Sequence, residues 1–506
     1  MTSITIYDGS NTIGGNKIYL EESGEGIFLD FGMNFKKYEH YFKDFLTWRT
    51  TRGIYDLISL NLIPKLNIYR PDIIPSDLNM ASFPSLNVNA ILLSHAHLDH
   101  FGNIGLLKKD FPIVASPTTI ILLKGILDIS KGKLGSDVAY FSPRFTKKDD
   151  RIVTADNNKL IGRNFISVKN FSESVSQFLS SSAKWNKKLE KGTIQNLDKL
   201  TSHFEINGYD VDHSIYGATG YVISSDTTIA YTGDFRLHGK KGEMSKTFIN
   251  KAKEASILII EGTRAAREDI NESEETVYEN CLEAAEESKG LMIADFTSRN
   301  LERLEIFQSV AKKTGRILII PSKEAYLLNA LKKVDGIDRT SDILVYNELK
   351  TTKPYWENRI LSEEMDINYI DSLDISKTPD NYILCFSLFD LKNLLDVRPF
   401  GGTYLYSSSE AFEEESEFDF VRLNNWLSNF GFKILGFEVV EEDGKLKPKF
   451  TRGYHASGHA SKSDLIKTIE SIDPDIIIPV HTDTPSWFDQ NFDNVVLLKD
   501  GETYPK

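Results

Sequence analysis

Cysteine is nearly absent from this 506-residue chain, which has only Cys281 and Cys385. That excludes a disulfide framework and a cysteine-rich zinc module, and two buried thiols are expected from their apolar neighbours. No run of about 18 uninterrupted apolar residues occurs, so no transmembrane helix is expected. The opening residues, MTSITIYDGS, carry neither the basic nor the apolar stretch of a secretory leader, and a cytoplasmic protein is the expectation. Basic charge is not in excess either: 59 Lys and Arg face 73 Asp and Glu, a formal net charge of −14. An acidic total excludes a histone-like coat that binds any polyanion, but leaves room for a local basic groove. No repeat of fixed period and no long low-complexity linker is present, so the domains are expected to be nested or tightly packed. What remains is an ordinary globular composition, 41% hydrophobic and 26% charged, of a length that suits about three domains.

Short strand-like runs open the chain at Ser3–Tyr7, Lys17–Glu21 and Gly26–Asp30, with glycine-rich turns between them, and predict a β-meander. Tyr38–Ile63 has mixed three- and four-residue apolar spacing and predicts a helix ending at Pro64. Asn89–Ser94 predicts a buried strand that ends in a polar loop. Phe171–Leu200 is rich in Ser and Lys and predicts a helical excursion or lid. Strands are expected at His203–Ile206, Gly220–Ser225, Thr228–Thr232 and Ser256–Glu261. From Glu274 the texture changes to a strand–helix alternation of the parallel α/β kind, which continues through Gly402–Tyr406. The acidic run Glu410–Asp419 reads as a solvated face. Lys433–Glu438 and Asp475–Val480 complete the strands.

Chemistry concentrates at His95-Ala96-His97-Leu98-Asp99-His100, directly after the strand NAILLS. Three imidazoles and a carboxylate in one short run are costly to bury without a partner. They suit a borderline-soft divalent ion such as zinc. A two-metal site needs further ligands, which should come from the ends of later strands. His213 (in VDHS), Asp234 (in TGDF) and His481 (in PVH) have that placement. A lone histidine at a strand end is more often a hydrogen-bonded structural residue; together these positions read as one site. Asp30 also ends a strand and is placed to orient the ligands.

In this order, HAHLDH, VDHS, TGDF and PVH resemble the metallo-β-lactamase fold hydrolases. The resemblance narrows at Ile260-Glu261-Gly262-Thr263 and at Tyr454-His455-Ala456-Ser457-Gly458-His459-Ala460-Ser461, which are similar to segments of the β-CASP nuclease branch and of ribonuclease J. Phe296-Thr297-Ser298-Arg299-Asn300-Leu301 resembles the start of a helix in the same branch. Two departures stand out. Thr482-Asp483 follows the last histidine where Gly-Glu is usual, and Glu261-Gly262-Thr263 replaces the usual acidic-Ser-Thr. The bacterial C-terminal extension is expected to be absent, and the stretches 38–63 and 171–200 are expected to be additions.

The resemblance implies an α/β fold: an αββα sandwich formed by residues 1–265 and 453–506, with an α/β β-CASP domain inserted at 266–452. It implies two divalent ions, with zinc favoured over Mn²⁺ or Mg²⁺. His95, His97 and His213 would hold one, Asp99, His100 and His481 the other, and Asp234 would bridge them. Catalytic roles fall to Asp99, Glu261 and His459. Glu261 would orient a neighbouring histidine, and His459 would stabilise the transition state or protonate the leaving oxygen. For His455 a structural hydrogen bond is as plausible as a substrate contact. Ser298 and Arg299 at a helix start are candidates for a terminal phosphate, with Ser408 and His455 as further substrate contacts. Lys445, Lys447, Lys449 and Arg452 could track a phosphate backbone, or form a solvated strand face.

The implied activity is hydrolysis of single-stranded RNA, from the 5′ end, internally or both, with DNA as the alternative polymer. The implied assembly is a homodimer, with no membrane partner. Two rival functions are a small-molecule ester or phosphodiester hydrolase on the same metal core, and a catalytically silent RNA-binding subunit.

Overall fold

The computed structural model describes residues 2–505 apart from 44, 185, 268–271, 298, 362–366 and 409–416. Three strands form the expected meander: Ser3–Asp8, Lys17–Glu22 and Glu25–Leu29 pair antiparallel in sequence order. Ser3–Asp8 alternates half-buried and buried positions, as one-sided burial requires. The sheet then grows through parallel strands Val88–Leu92, Ile113–Ala115, Phe165–Ser167 and Ile194–Asn196, and Thr503–Tyr504 closes its other edge.

A second, five-stranded sheet begins with antiparallel Glu205–Asp210, Thr219–Ser224 and Thr228–Tyr231. It continues through parallel Ile257–Glu261 and Ile476–Val480. The sheets face each other across a core that includes Leu20, Leu29, Leu92, Ile223, Ile259 and Ile478. Helices Gly242–Lys251 and Lys462–Ile472 cover the second sheet, with Phe248 and Leu465 packed near Leu258 and Ile260. Helix Pro117–Ile129 lies on the first sheet, and its Ile120 and Ile121 share a cluster with Ile91 and Leu93. The order of layers is αββα, as the motif resemblance implies.

The third sheet is drawn entirely from the chain between Glu261 and His455. Seven parallel strands run from Leu291–Asp295 to Phe432–Leu435, so both faces must be covered. Leu301–Thr314 and Ser322–Asp335 supply helices on one side. Helix Ser322–Asp335 packs on Pro117–Ile129 of the first layer. Gly125 permits the approach, because a Cβ there would lie 2.9 Å from Leu327 Cδ2. The Tyr326 hydroxyl adds a 2.6 Å hydrogen bond to Asp128.

Two expected helices differ in the structure. Tyr38–Ile63 is not one helix: its described residues form the end of the short helix Phe35–Glu39, a 3-10 turn at Thr50–Arg52 and the short helix Tyr55–Ser59, joined by irregular chain. Gly53 breaks it, with φ +56° and a Cβ position 1.9 Å from the Ile73 carbonyl oxygen. Leu57, Ile58 and Leu62 are still buried, so the apolar spacing reports burial rather than helix. Phe171–Leu200 is not one helical excursion: it has the helix Glu173–Leu179 and a single 3-10 turn at Leu197–Lys199, while Lys188–Glu190 and Ile194–Asn196 add edge strands to two sheets. Most of Glu410–Asp419 lies outside the described residues.

Candidate metal centre

Strand ends assemble the site. After Val88–Leu92 the chain emerges at Leu93-Ser94, turns through His95–His97, and enters the short helix Leu98–Phe101 that carries Asp99 and His100. Thr228–Tyr231, Ile257–Glu261 and Ile476–Val480 run parallel, so they deliver Asp234, Glu261 and His481 to the same sheet edge. His213 follows Glu205–Asp210.

Three imidazole nitrogens converge first: His95 Nε2 lies 3.0 Å from His97 Nδ1, which lies 3.3 Å from His213 Nε2. A second group joins Asp99, His100, Asp234 and His481, and within each group the ligand atoms lie within 4.8 Å of one another. Asp234 sits between the groups. Its Oδ2 is 3.6 Å from His95 Nε2, 3.0 Å from His100 Nε2 and 3.7 Å from His481 Nε2. Asp99 Oδ2 is 3.2 Å from His481 Nε2. Glu261 and His459 lie alongside, joined by a 3.0 Å contact from His459 Nδ1 to Glu261 Oε2.

The outward-facing nitrogen of four of these rings is held. His95 Nδ1 meets the Ser94 hydroxyl at 3.0 Å, and His100 Nδ1 meets Asp30 Oδ2 at 2.7 Å. His213 Nδ1 donates to the Gly458 carbonyl at 2.6 Å, and His481 Nδ1 meets the Thr263 hydroxyl at 2.9 Å. Such partners orient metal-binding imidazoles and set their tautomers. Asp30 is itself pinned by the Ser94 backbone N–H at 2.7 Å and by the Tyr231 hydroxyl at 2.6 Å. Asp30 and His481 have positive φ, +55° and +52°, a conformation that costs of order 1–3 kcal/mol and persists only where the surroundings impose it. Backbone hydrogen bonds from Asp30 N to Leu92 O and from His481 N to Gly9 O do so here.

The electrostatics divide the rings. Burial drives His95 and His97 well below the ordinary histidine range, and nearby histidines add to the effect, so both are neutral. Burial likewise takes His213 down to about 4. In His100 burial opposes protonation, but Asp234, Asp99 and Asp30 outweigh it and the net direction is up. Burial would raise Asp234, yet His100 and His481 hold it well below the carboxylate range. For His459 burial is again overcome, and Glu261 lifts the ring to about 9.

These residues fit divalent metal. Tetrahedral zinc with bonds of about 2.0–2.1 Å places ligand nitrogens roughly 3.3 Å apart, close to the spacings found in the His95–His97–His213 group. Neutral imidazoles facing one another nitrogen to nitrogen are what such an ion stabilises. Buried His100 Nε2 and Asp234 Oδ1 have no aligned hydrogen bond, although His100 Nε2 and Asp234 Oδ2 are close. The cluster is a divalent-metal site.

A cleft opens over the cluster, lined by His97, Asp99, His213, Asp234, His459 and His481. Ile13, Phe35, Arg267, Thr297, Arg299 and Ser457 form more of its wall. Arg299, expected at a helix start as a phosphate contact, lines the cleft, while Ser298 lies outside the described residues. His455 and Ser408 are buried and are not among the lining residues. Lys445, Lys447 and Lys449 lie on an antiparallel hairpin outside the cleft lining. Sequence reasoning does not single out Ser94, Thr263, Tyr231, Gly458, Arg267 or Phe35 for the site. Ser94, Tyr231, Thr263 and Gly458 adjoin or lie inside the motifs, so reading one residue outward finds them. Arg267 and Phe35 carry no such signal.

The sequence profile of the metallo-beta-lactamase superfamily matches residues 72–158. That of the Zn-dependent metallo-hydrolase RNA specificity domain matches residues 445–487. A ribonuclease J of Mycoplasma genitalium is 23% identical over 495 residues, 95% of this chain and 68% of that protein. For a ribonuclease J of Mycoplasma pneumoniae the identity is 22%, over 78% of this chain and 57% of that protein. A ribonuclease J of Pyrococcus abyssi is 22% identical over 95% of this chain and 90% of that protein. The crystal structure of a protein of unknown function from Enterococcus faecalis V583 matches with a TM-score of 0.66 at 21% identity, covering 99% of both chains, and shares the fold.

Fold and site together define a metal-dependent hydrolase of the metallo-β-lactamase type. Within that class the chain resembles the β-CASP nucleases, ribonuclease J in particular.

Proposed function

We propose that this protein is a two-metal ribonuclease acting on single-stranded RNA. The observation that carries the reading is the convergence of seven ligand side chains with the Glu261–His459 pair beneath one cleft, which His97, Asp99, His213, Asp234, His459 and His481 line. The ribonuclease J names of its relatives point to the same substrate. His95, His97 and His213 are assigned to one ion and Asp99, His100 and His481 to the other, with Asp234 shared; zinc is favoured by the histidine-rich set. Divalent ions bound there supply Lewis acidity toward water and toward the non-bridging phosphate oxygens.

The chain's own groups do the rest. Asp234 holds the two ligand groups at a constant spacing. Glu261 keeps His459 protonated, so its ring can donate a hydrogen bond to the phosphoryl oxygens and a proton to the leaving oxygen. Asp30 and Thr263 fix the orientation of His100 and His481. Arg299, with Ser298, is assigned to a terminal 5′ phosphate at the start of helix Leu301–Thr314, and the Ser408 and His455 regions to more distant substrate contacts. We assign 1–265 and 453–506 to the catalytic domain and 266–452 to the insertion. A cytoplasmic location and a homodimer complete the reading; among the described residues no helix is long and apolar enough to cross a membrane.

The test compares wild type with the double variant His97→Ala/Asp99→Ala. Each receives a 5′-monophosphorylated, 3′-labelled single-stranded RNA, or DNA of the same sequence, in Zn²⁺ or Mn²⁺. RNA cleavage by wild type alone is expected. Absence of cleavage of either polymer, with two ions bound by elemental analysis, would move the assignment to a small ester or to a silent RNA-binding subunit.

A further inference from the structure

Aromatic residues follow one another closely at Phe31, Phe35, Tyr38 and Phe42. Phe31 and Tyr38 are buried in the first hydrophobic cluster, and Phe42 packs against it. Phe35 does not join them. It is half-buried, belongs to none of the four hydrophobic clusters, and makes no ring contact among the described residues. Instead it lines the cleft over the metal ligands, together with Ile13.

Its position is rigidly set. The neighbouring Asn34 caps helix Phe35–Glu39 by accepting from Lys37 N at 3.0 Å. The same side chain donates to Asp8 Oδ1 at 2.8 Å and to Thr12 Oγ1 at 2.9 Å. The turn that carries Ile13 is locked to the ligand loop, since Gly15 N donates to the Asp99 carbonyl at 2.9 Å. Gly15 also packs on Asn34, where a Cβ would come within 2.6 Å of the Asn34 Cβ. Ile13 and Phe35 are therefore fixed relative to Asp99. A phosphodiester group alone gives an apolar wall nothing to do, whereas Arg267 and Arg299 in the same cleft suit phosphates. Apolar and cationic groups lining one cleft suit a chain that carries bases as well as phosphates.

We propose that Phe35, with Ile13, is a nucleobase platform beside the metal centre, on which a base next to the scissile phosphate stacks. The inference rests on the nuclease reading and makes the substrate's bases, not only its phosphates, part of what the cleft selects.

Binding and cleavage are measured separately with the metal-loaded full chain. Binding uses fluorescence anisotropy with a hydrolysis-resistant phosphorothioate oligoribonucleotide, either intact or carrying abasic nucleotides. Cleavage uses the ordinary phosphodiester form of both. Phe35→Ala is expected to weaken binding of the intact oligonucleotide about five- to a hundredfold, with no further loss on the abasic one, and Phe35→Trp to retain wild-type affinity. Phe35→Leu keeps apolar bulk without the aromatic face, and is expected to lie between them. An unchanged affinity in Phe35→Ala, or an equal loss on intact and abasic oligonucleotides, would overturn the platform while RNA cleavage still supported the nuclease. Base-dependent binding through Phe35 without cleavage would leave the platform standing and sink the nuclease. If wild type neither bound nor cleaved RNA, both would fall.

Discussion

Gly458 and His213 lie 245 residues apart, and the Gly458 carbonyl accepts a 2.6 Å hydrogen bond from His213 Nδ1. A carbonyl oxygen can only accept, so this contact sets the tautomer and leaves Nε2 as the free ligand atom. The partner that prepares a ligand of the first half therefore comes from the segment that returns after the seven-stranded sheet.

Asp30→Asn should weaken metal binding about 10–100-fold while preserving the fold. Asp30 Oδ2 holds His100 Nδ1, and an amide can present the wrong end to the ring. Elemental analysis after dialysis at graded chelator concentrations measures it. A variant that retains both ions as firmly as wild type would remove Asp30 from the ligand-orienting role.

His459→Gln should lower kcat by roughly 10²–10⁴ without changing metal content. The pH dependence has a definite sign. Glu261 raises His459 to about 9, so the protonated, proton-donating form prevails below that value and is lost as pH rises through it. Glu261→Gln removes the charge that raises the ring, and the alkaline limb of the pH–rate profile should move to lower pH. A limb that stays in place in Glu261→Gln would show that another group limits activity at high pH.

Arg236→Met should destabilise the protein by about 3–5 kcal/mol, the cost of breaking a buried ion pair by removing one partner. Arg236 is fully buried and reaches Glu274 at 3.0 Å, Glu302, and the Ser457 carbonyl at 3.0 Å. It thereby ties the Asp234 loop to two helices beside the seven-stranded sheet and to the segment bearing His459. Denaturant unfolding gives the stability, and a midpoint unchanged from wild type would show that the network carries no net coupling.

Gly14→Ala should impair the site more than the fold. A Cβ at Gly14 would lie 2.7 Å from Asp99 Cβ and 2.8 Å from Asp99 Oδ2, at φ +76°. The backbone cost is about 1–2 kcal/mol, so the protein should still fold, but Asp99 must move. Loss of bound metal with a nearly unchanged thermal midpoint is the expected result; normal metal content and activity would show that the turn yields instead.

Much of the site is legible in the sequence. Asp234 and His481 follow short apolar runs closely, and a buried strand must end where its polar residues begin. The parallel strands of the insertion are legible for the same reason, and the αββα layering is implied by the resemblance of the motifs to the metallo-β-lactamase fold. Segment 38–63 departs from its expected helix because apolar spacing records which residues are buried. Gly53, whose Cβ would collide with the Ile73 carbonyl, lets irregular chain bury them.

The sequence by itself determined the ligand types, their order along the chain and their places at strand ends, because local hydrophobic patterning sets where strands stop. Only the tertiary structure decided which ring nitrogen faces which partner, because those contacts cross long stretches of chain. Parallel pairing of Ile257–Glu261 with Ile476–Val480 brings Thr263 to His481, 218 residues away. It also decided that Phe35 faces the cleft while Phe31 and Tyr38 enter the core. An aromatic spacing states how apolar each side chain is, and the anchoring of Asn34 by Asp8 and Thr12 determines which way the next one points.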